Sequence, residues 1–185
     1  MSNEATAAAE AVSTWDIDPA HSHAQFKVRH MMISNVKGEF TKLSGTVKID
    51  SADVTQSTVD VTVDTTSIST RDTQRDGHLK SPDFFDVEKY PTITFQSTKI
   101  TSTDDGLELT GNLTMHGVTK PVTFAIDGPT PETKDPWGNV RRGVEATTTI
   151  DRKDFGLVWN ASLETGGVMV GDKVHLTVDA ELVKK

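Results

Sequence analysis

Six histidines, at positions 21, 23, 30, 78, 116 and 175, are the richest source of chemistry in this chain. Imidazole titrates near neutral pH and is the commonest metal ligand. His21 and His23, two residues apart, can share one face of an extended segment, as a pair of metal ligands would. A metal site needs a third or fourth ligand, and the chain has neither a His-x-x-x-His helix pair nor an aspartate-rich calcium loop. No metal is therefore expected. His30 lies in phase with Phe26 and Val28 and is expected to point inward. It is there either a hydrogen-bonded core histidine or a polar anchor in an apolar cavity. His116 and His175 fall in the polar phase and are expected in solvent. Arg71, Arg75 and His78 stand at i, i+4 and i+7, on one face of a helix. Such a face can meet a phosphate or carboxylate head group. The plainer reading is a solvated face pairing locally with Asp72 and Asp76.

Other chemistries find no support. With no cysteine, disulfides, thiolate catalysis and zinc–thiolate sites are excluded. There is no G-x-S-x-G elbow and no glycine-rich phosphate loop between a strand and a helix. Asp104 and Asp105 are adjacent carboxylates, but they sit in a turn. No catalytic residue and no cofactor is expected. The net charge of −8 comes without any block of five like charges or a basic stripe along the sequence, so no nucleic-acid partner is expected. No apolar run reaches the roughly 18 residues of a membrane-spanning helix. Residues 1–13 have no basic n-region and no apolar h-region, as a secretory signal would. They read as a disordered tail ahead of one domain over 14–185, and the protein reads as cytoplasmic.

The elements that must position these residues follow period two. Ala24, Phe26, Val28 and His30 share one phase, with His23, Gln25, Lys27 and Arg29 in the other, which is a strand with one apolar face. The same alternation marks eight strands: about 15–17 running on through 24–31, then 36–50, 58–66, 91–103, 106–116, 117–128, 139–151 and 171–183. Asp105-Gly106 is a hairpin turn between two of them. The pattern breaks over 68–90, where 71–80 is helix-compatible and Ser81-Pro82 predicts the start of a second short helix carrying Phe84 and Phe85. Connections this long are usually lids or binding loops. A second long connection, 152–170, contains Phe155, Leu157 and Trp159. The aromatics Phe84, Phe85, Phe95, Phe124, Phe155 and Trp159 fall on inward phases or on these loops. Each is either core packing or part of a ligand-lining set. Eight one-sided antiparallel strands close into a barrel or pack as a sandwich; alternation fits both.

Four blocks in order carry a resemblance. Trp15-Asp-Ile-Asp-Pro-Ala-His-Ser-His23 leads to Phe26, His30, Ser34, Gly38 and Phe40. Arg75-Asp-Gly-His78-Leu79-Lys-Ser81 is followed by Asp83-Phe84-Phe85-Asp86 and Tyr90-Pro91. Gly111-Asn-Leu113-Thr-Met-His116-Gly-Val-Thr119 comes next, and Asp135-Pro-Trp137-Gly-Asn139 precedes Arg152 to Trp159. Over about residues 14–183 the chain closely resembles the YceI-like, polyisoprenoid-binding family. The resemblance implies an all-β, eight-stranded antiparallel lipocalin-like barrel with a helical insertion around 70–88. It implies a polyisoprenoid or other lipid-like, fatty-acyl-like molecule threaded through the interior, carried or sequestered rather than converted. Dimers are common among such relatives, and many are periplasmic with a signal peptide, which this N-terminus does not resemble. The expected ligand contacts are Phe26, Val28, His30, Phe40, Arg71, Arg75, His78, Leu79, Phe84, Phe85, Phe95, Leu113, Phe124, Phe155 and Trp159. The competing readings are an enzyme that uses inward His30 on an apolar substrate, and a stress-related interaction module whose core is filled by its own side chains.

Overall fold

A computed structural model describes residues 11–185, and twelve strands run through it. They are β1 (Val12–Ile17), β2 (His23–His30), β3 (Ser34–Phe40), β4 (Leu43–Asp50), β5 (Thr58–Asp64), β6 (Ile68–Ser69), β7 (Thr92–Thr103), β8 (Gly106–Met115), β9 (Val118–Asp127), β10 (Thr133–Lys134), β11 (Val140–Asp151) and β12 (Val170–Lys184). One short helix, α1 (Thr73–Lys80), lies between β6 and β7. The tail read over 1–13 lies mostly outside the described residues. Val12 and Ser13 already belong to β1, paired with Asp50 and Ile49.

All twelve strands belong to one antiparallel sheet that closes on itself. Closure runs through the ladder from Arg141↔Val183 to Asp151↔Lys173 between β11 and β12. The twelve occupy eight positions around the ring. β1 and β2 share one position: β12 pairs with β1 at Leu182–Lys184 and with β2 at Val170–Asp179. β3 and β4 share the next, facing β2 and β1 respectively. The single strand expected over 36–50 is thus two, interrupted at Thr41-Lys42. β6 continues the position of β5 along β3, and β10 continues that of β9 along β11. The fold is an eight-position antiparallel barrel, not a sandwich.

The inward phase of each strand is apolar, as the alternation requires. Phe95 and Phe124 meet edge to face, 5.3 Å between ring centroids, from β7 and β9. Trp15 is fully buried beneath the Arg142 guanidinium, 5.3 Å from its ring centroid. Close approach of neighbouring strands fixes Gly45 in β4. A Cβ there would run into the backbone carbonyl oxygen of Asp60 on β5 and press on Ile17 Cδ1. Gly45→Ala is therefore expected to lower stability by about 1–3 kcal/mol, the usual range for overpacking, read as a drop in Tm by circular dichroism.

The 68–90 insertion differs from expectation in two ways. The helix starts after Asp72, whose carboxylate accepts the Arg75 backbone N–H at 2.9 Å as an N-cap. No second helix starts at Ser81-Pro82. Ser81 spends its hydroxyl on the last turn of α1, donating to the His78 carbonyl at 2.6 Å. Residues 82–85 then fold as turns that drop Phe84 and Phe85 onto the barrel, where Phe85 packs edge-on against Phe40 at 5.5 Å.

Candidate functional site

The barrel is hollow. A cavity of about 380 Å³ runs from His30, Trp159 and Met169 at one end to Val54, Ile126 and Pro129 at the other. That volume is within the range of small-molecule sites, roughly 300–1,000 Å³. On β12 alone, the lining extends from Val170 to Leu182. At about 3.3 Å per residue and a typical barrel tilt, that is roughly 30 Å along the axis. The wall is almost entirely carbon, supplied by alternate residues of every ring position. Phe26, Val28, Val144, Ala146, Leu176 and Val178 face inward yet are only half-buried, because they border space rather than other side chains. The filled-core reading does not survive this.

Of the expected contacts, Phe26, Val28, His30, Phe40, Arg75, His78, Leu79, Phe84, Phe85, Phe95, Leu113, Phe124 and Trp159 line the cavity. Two do not. Arg71 precedes α1, has a positive φ and projects into an outer cleft beside Lys27 and Lys37. The one-face arrangement Arg71–Arg75–His78 is thereby broken, because the Asp72 cap puts Arg71 outside the helix. Phe155 is fully buried in a 3-10 turn (Arg152–Phe155) and belongs to the packed core rather than to the cavity wall.

Polar groups concentrate at the end covered by α1 and the 152–170 loop. Trp159 and His78 meet edge to face at 4.8 Å, and Phe84 packs against both, so the helix and the loop share one aromatic cover. His78 Nε2 lies 2.9 Å from an Asp83 carboxylate oxygen. Arg75 donates from Nε and Nη2 to the hydroxyl and carbonyl of Thr70, at 2.8 and 2.9 Å. His30 faces the cavity, and its ring makes no hydrogen bond with protein among the described residues.

Arg152 is the residue that sequence reasoning missed. It is buried, and its guanidinium donates to the carbonyls of Leu157, Trp159 and Gly171 at 2.7, 2.9 and 2.8 Å, and to Val170 at 3.3 Å. Burial pushes its pKa down, opposed by Asp172 and Asp151. One side chain thus gathers both ends of the 152–170 loop and holds Trp159 over the cavity. Its place in the fourth sequence block was the only signal, and that signal gave no role.

The histidine pair is split. His21 Nδ1 is 3.0 Å from Asp18, while His23 faces Asp179 at 3.5 Å. Asp18, His21 and Glu181 each bring a ligand atom within 4.8 Å of the others. Arg141 already bridges them, donating from Nη1 to Asp18 and Glu181 and from Nε to Asp135, each at 2.7 Å. The cluster pins the break between β1 and β2 to β11 and β12. His116 is not simply solvated. It is half-buried, with Nδ1 3.1 Å from the Phe155 carbonyl and its ring on Tyr90. His175 is exposed, 2.7 Å from the Thr149 hydroxyl.

The Arg141 hydrogen bond, followed by that of His21, lowers Asp18 from 3.8 to about 2, and Asp135 is held lower still by the same arginine. Carboxylates depressed in the folded state stabilise it above their unfolded pKa, and that contribution is lost as pH falls through the folded value. Wild-type stability is expected to fall between about pH 4 and pH 2. Arg141→Met should lower Tm at neutral pH and flatten that acid limb. Tm measured against pH for both proteins checks it.

Comparison with known proteins agrees with this architecture. A family model described as the YceI-like domain matches residues 15–182. The chain is 41% identical over 143 residues to a UPF0312 protein of Vibrio cholerae, covering 77% of this chain and 75% of that one. It is 39% identical over 144 residues to a UPF0312 protein of Pseudomonas aeruginosa, covering 77% and 74%. Among solved structures, the YCEI protein of Campylobacter jejuni superposes with a TM-score of 0.71 at 31% identity, covering 86% of this chain and 91% of that one. A polyisoprenoid binding domain from Saccharophagus degradans shares the fold, with a TM-score of 0.66 at 15% identity over 92% and 98%. The eight-position barrel with an apolar cavity along its interior defines a lipocalin-like β-barrel protein. The chain belongs to the YceI-like family.

Proposed function

We propose that the protein binds a long, apolar-tailed amphiphile, prenyl or fatty-acyl in character, in the barrel interior, and carries or sequesters it without making or breaking bonds. The carbon-lined cavity along the barrel axis is the observation that supports this most. Each buried methylene contributes about 0.8 kcal/mol, so a tail of about fifteen carbons offers about 12 kcal/mol before the costs of ordering and association. That favours useful affinity with broad specificity. That a polyisoprenoid binding domain from Saccharophagus degradans has the same fold supports the same ligand class. The polar end of the ligand belongs beside His30, Arg75 and His78. Among the described residues His30 pairs with no carboxylate or hydroxyl and faces the apolar wall, as a polar anchor for a ligand would.

The test is a titration with a fluorescent acyl probe, displaced by farnesol or by a long-chain fatty acid. Saturable one-to-one uptake with enhanced emission is expected. A protein that leaves both probe and competitors in bulk solvent would end the proposal.

A further inference from the structure

The β2–β3 hairpin ends in three apolar residues that face solvent. Met31, Met32 and Ile33 are 39%, 53% and 76% exposed. The turn is closed by the Ile33 N–H donating to the His30 carbonyl at 3.1 Å, and Met31 and Met32 both have positive φ, 50° and 62°. Two successive left-handed residues are what a type I′ turn needs, and Asn-Gly is what usually fills them. Methionine there stores strain, and strained backbone in a projecting tip motivates a search for what the side chains meet. The tip is tied to the covered end of the cavity: the Met31 N–H donates to the Met169 carbonyl at 2.7 Å, and Met169 and His30 line the cavity. Exposed Val158 and Val168, on the 152–170 loop, stand at the same end.

A second, independent observation concerns charge. On the outer face of the same hairpin Lys27 lies directly across from Lys37, and His175 flanks Lys27 on β12. Like charges opposite one another destabilise a sheet. Arg29 lies one outward position nearer the tip, donating to the Met32 carbonyl at 3.0 Å, and Arg71 projects into the same cleft as Lys27 and Lys37, where Glu39 is the one carboxylate against three cations. No carboxylate forms an ion pair with Lys27, Lys37, Arg29 or Arg71 among the described residues, in a chain with net charge −8. An apolar tip backed by unpaired cations is the pattern that binds the interface of an anionic bilayer.

We propose that the β2–β3 hairpin docks the barrel on an anionic lipid bilayer, with Met31, Met32 and Ile33 between the head groups and Arg29, Lys27 and Lys37 against phosphates. The covered end of the cavity, beneath Trp159 and α1, then faces the surface from which an apolar ligand would come. Only this last consequence rests on the proposed ligand class.

The experiment floats the full chain with phosphatidylcholine vesicles, with and without phosphatidylglycerol. Wild type is expected to float with the anionic vesicles, less at high salt, and much less with phosphatidylcholine alone. The triple variant Met31→Asn, Met32→Gly, Ile33→Ser suits the turn better, so it should keep or raise Tm while losing vesicle binding about tenfold or more. Lys27→Gln with Lys37→Gln should weaken binding to anionic vesicles by about tenfold or more. Wild type that stays behind with both vesicle types, a triple variant that floats like wild type, or a tip that pairs two copies in sedimentation and ignores vesicles would each overturn the proposal. Acyl-probe titration in vesicle-free buffer separates the two claims. The triple variant should bind probe as wild type does, and wild type that floats but takes no probe sinks the ligand reading while leaving docking intact.

Discussion

Ala146→Trp is expected to abolish most ligand binding while leaving the protein folded. Ala146 is on β11, points into the cavity and is half-buried because space lies in front of it. In a packed core such a change would force off-rotamer side chains and backbone shifts. Here the indole enters the hollow beside Ile126 and Val178, which neighbour Ala146 across β9 and β12. Tm should hold or rise. A threaded ligand loses its path instead. Displacing about four methylenes at about 0.8 kcal/mol each removes about 3 kcal/mol, a weakening of about 100-fold in Kd. Probe titration and thermal denaturation on the same sample make the check. A variant that binds like wild type would mean the ligand site lies elsewhere.

Arg152→Met is expected to have the largest effect on stability. The methionine keeps the length of the apolar stem and deletes every donor. Four carbonyls, of Leu157, Trp159, Val170 and Gly171, lose their shared partner in a buried setting. An orphaned buried acceptor costs about 1–3 kcal/mol, reduced wherever water can enter. About 3–5 kcal/mol is expected in total, seen as a lower denaturation midpoint at unchanged slope. Amide exchange over 156–170 should rise further than in the barrel strands, since the loop loses its tether first. With Trp159 released from the aromatic cover, probe dissociation should quicken as well. Arg152→Lys restores charge but not the fork of donors, so it should recover little.

How far the sequence reveals these features depends on whether the cause is local. Phase alternation at Phe26, Val28 and His30 places them on the lumen wall because strand side chains alternate whatever the partner strand is. The same rule found the inward faces of β7, β8, β9 and β12. It does not register where a strand changes partner. The break at Thr41-Lys42 keeps both flanking segments alternating, so 36–50 reads as one strand although β3 faces β2 and β4 faces β1. The Arg71 expectation failed over one capping residue, Asp72, which starts the helix two positions later than the charge spacing assumed. Arg152 was illegible because its partners are carbonyls, which every residue carries, brought together by loop closure. The cation cluster on the hairpin was invisible for a similar reason: Lys27 and Lys37 come opposite each other only in this β2–β3 register, and Arg71 joins their cleft from far along the chain. Hollowness was not written in the pattern either, since inward apolar residues can fill a barrel or line one. Small side chains such as Ala146 among larger ones decide it, and only the closed geometry shows the space in front of them.

The central claim is that the hollow holds an apolar chain. Native mass spectrometry of the protein purified without detergent tests it most directly, with Ala146→Trp prepared in parallel. The account predicts a wild-type mass raised by a single lipid-sized adduct, released as an isoprenoid or fatty-acyl species on collisional heating, and the bare mass for the variant. Bare mass for wild type, with no adduct after incubation with farnesol or a long-chain fatty acid, would contradict it.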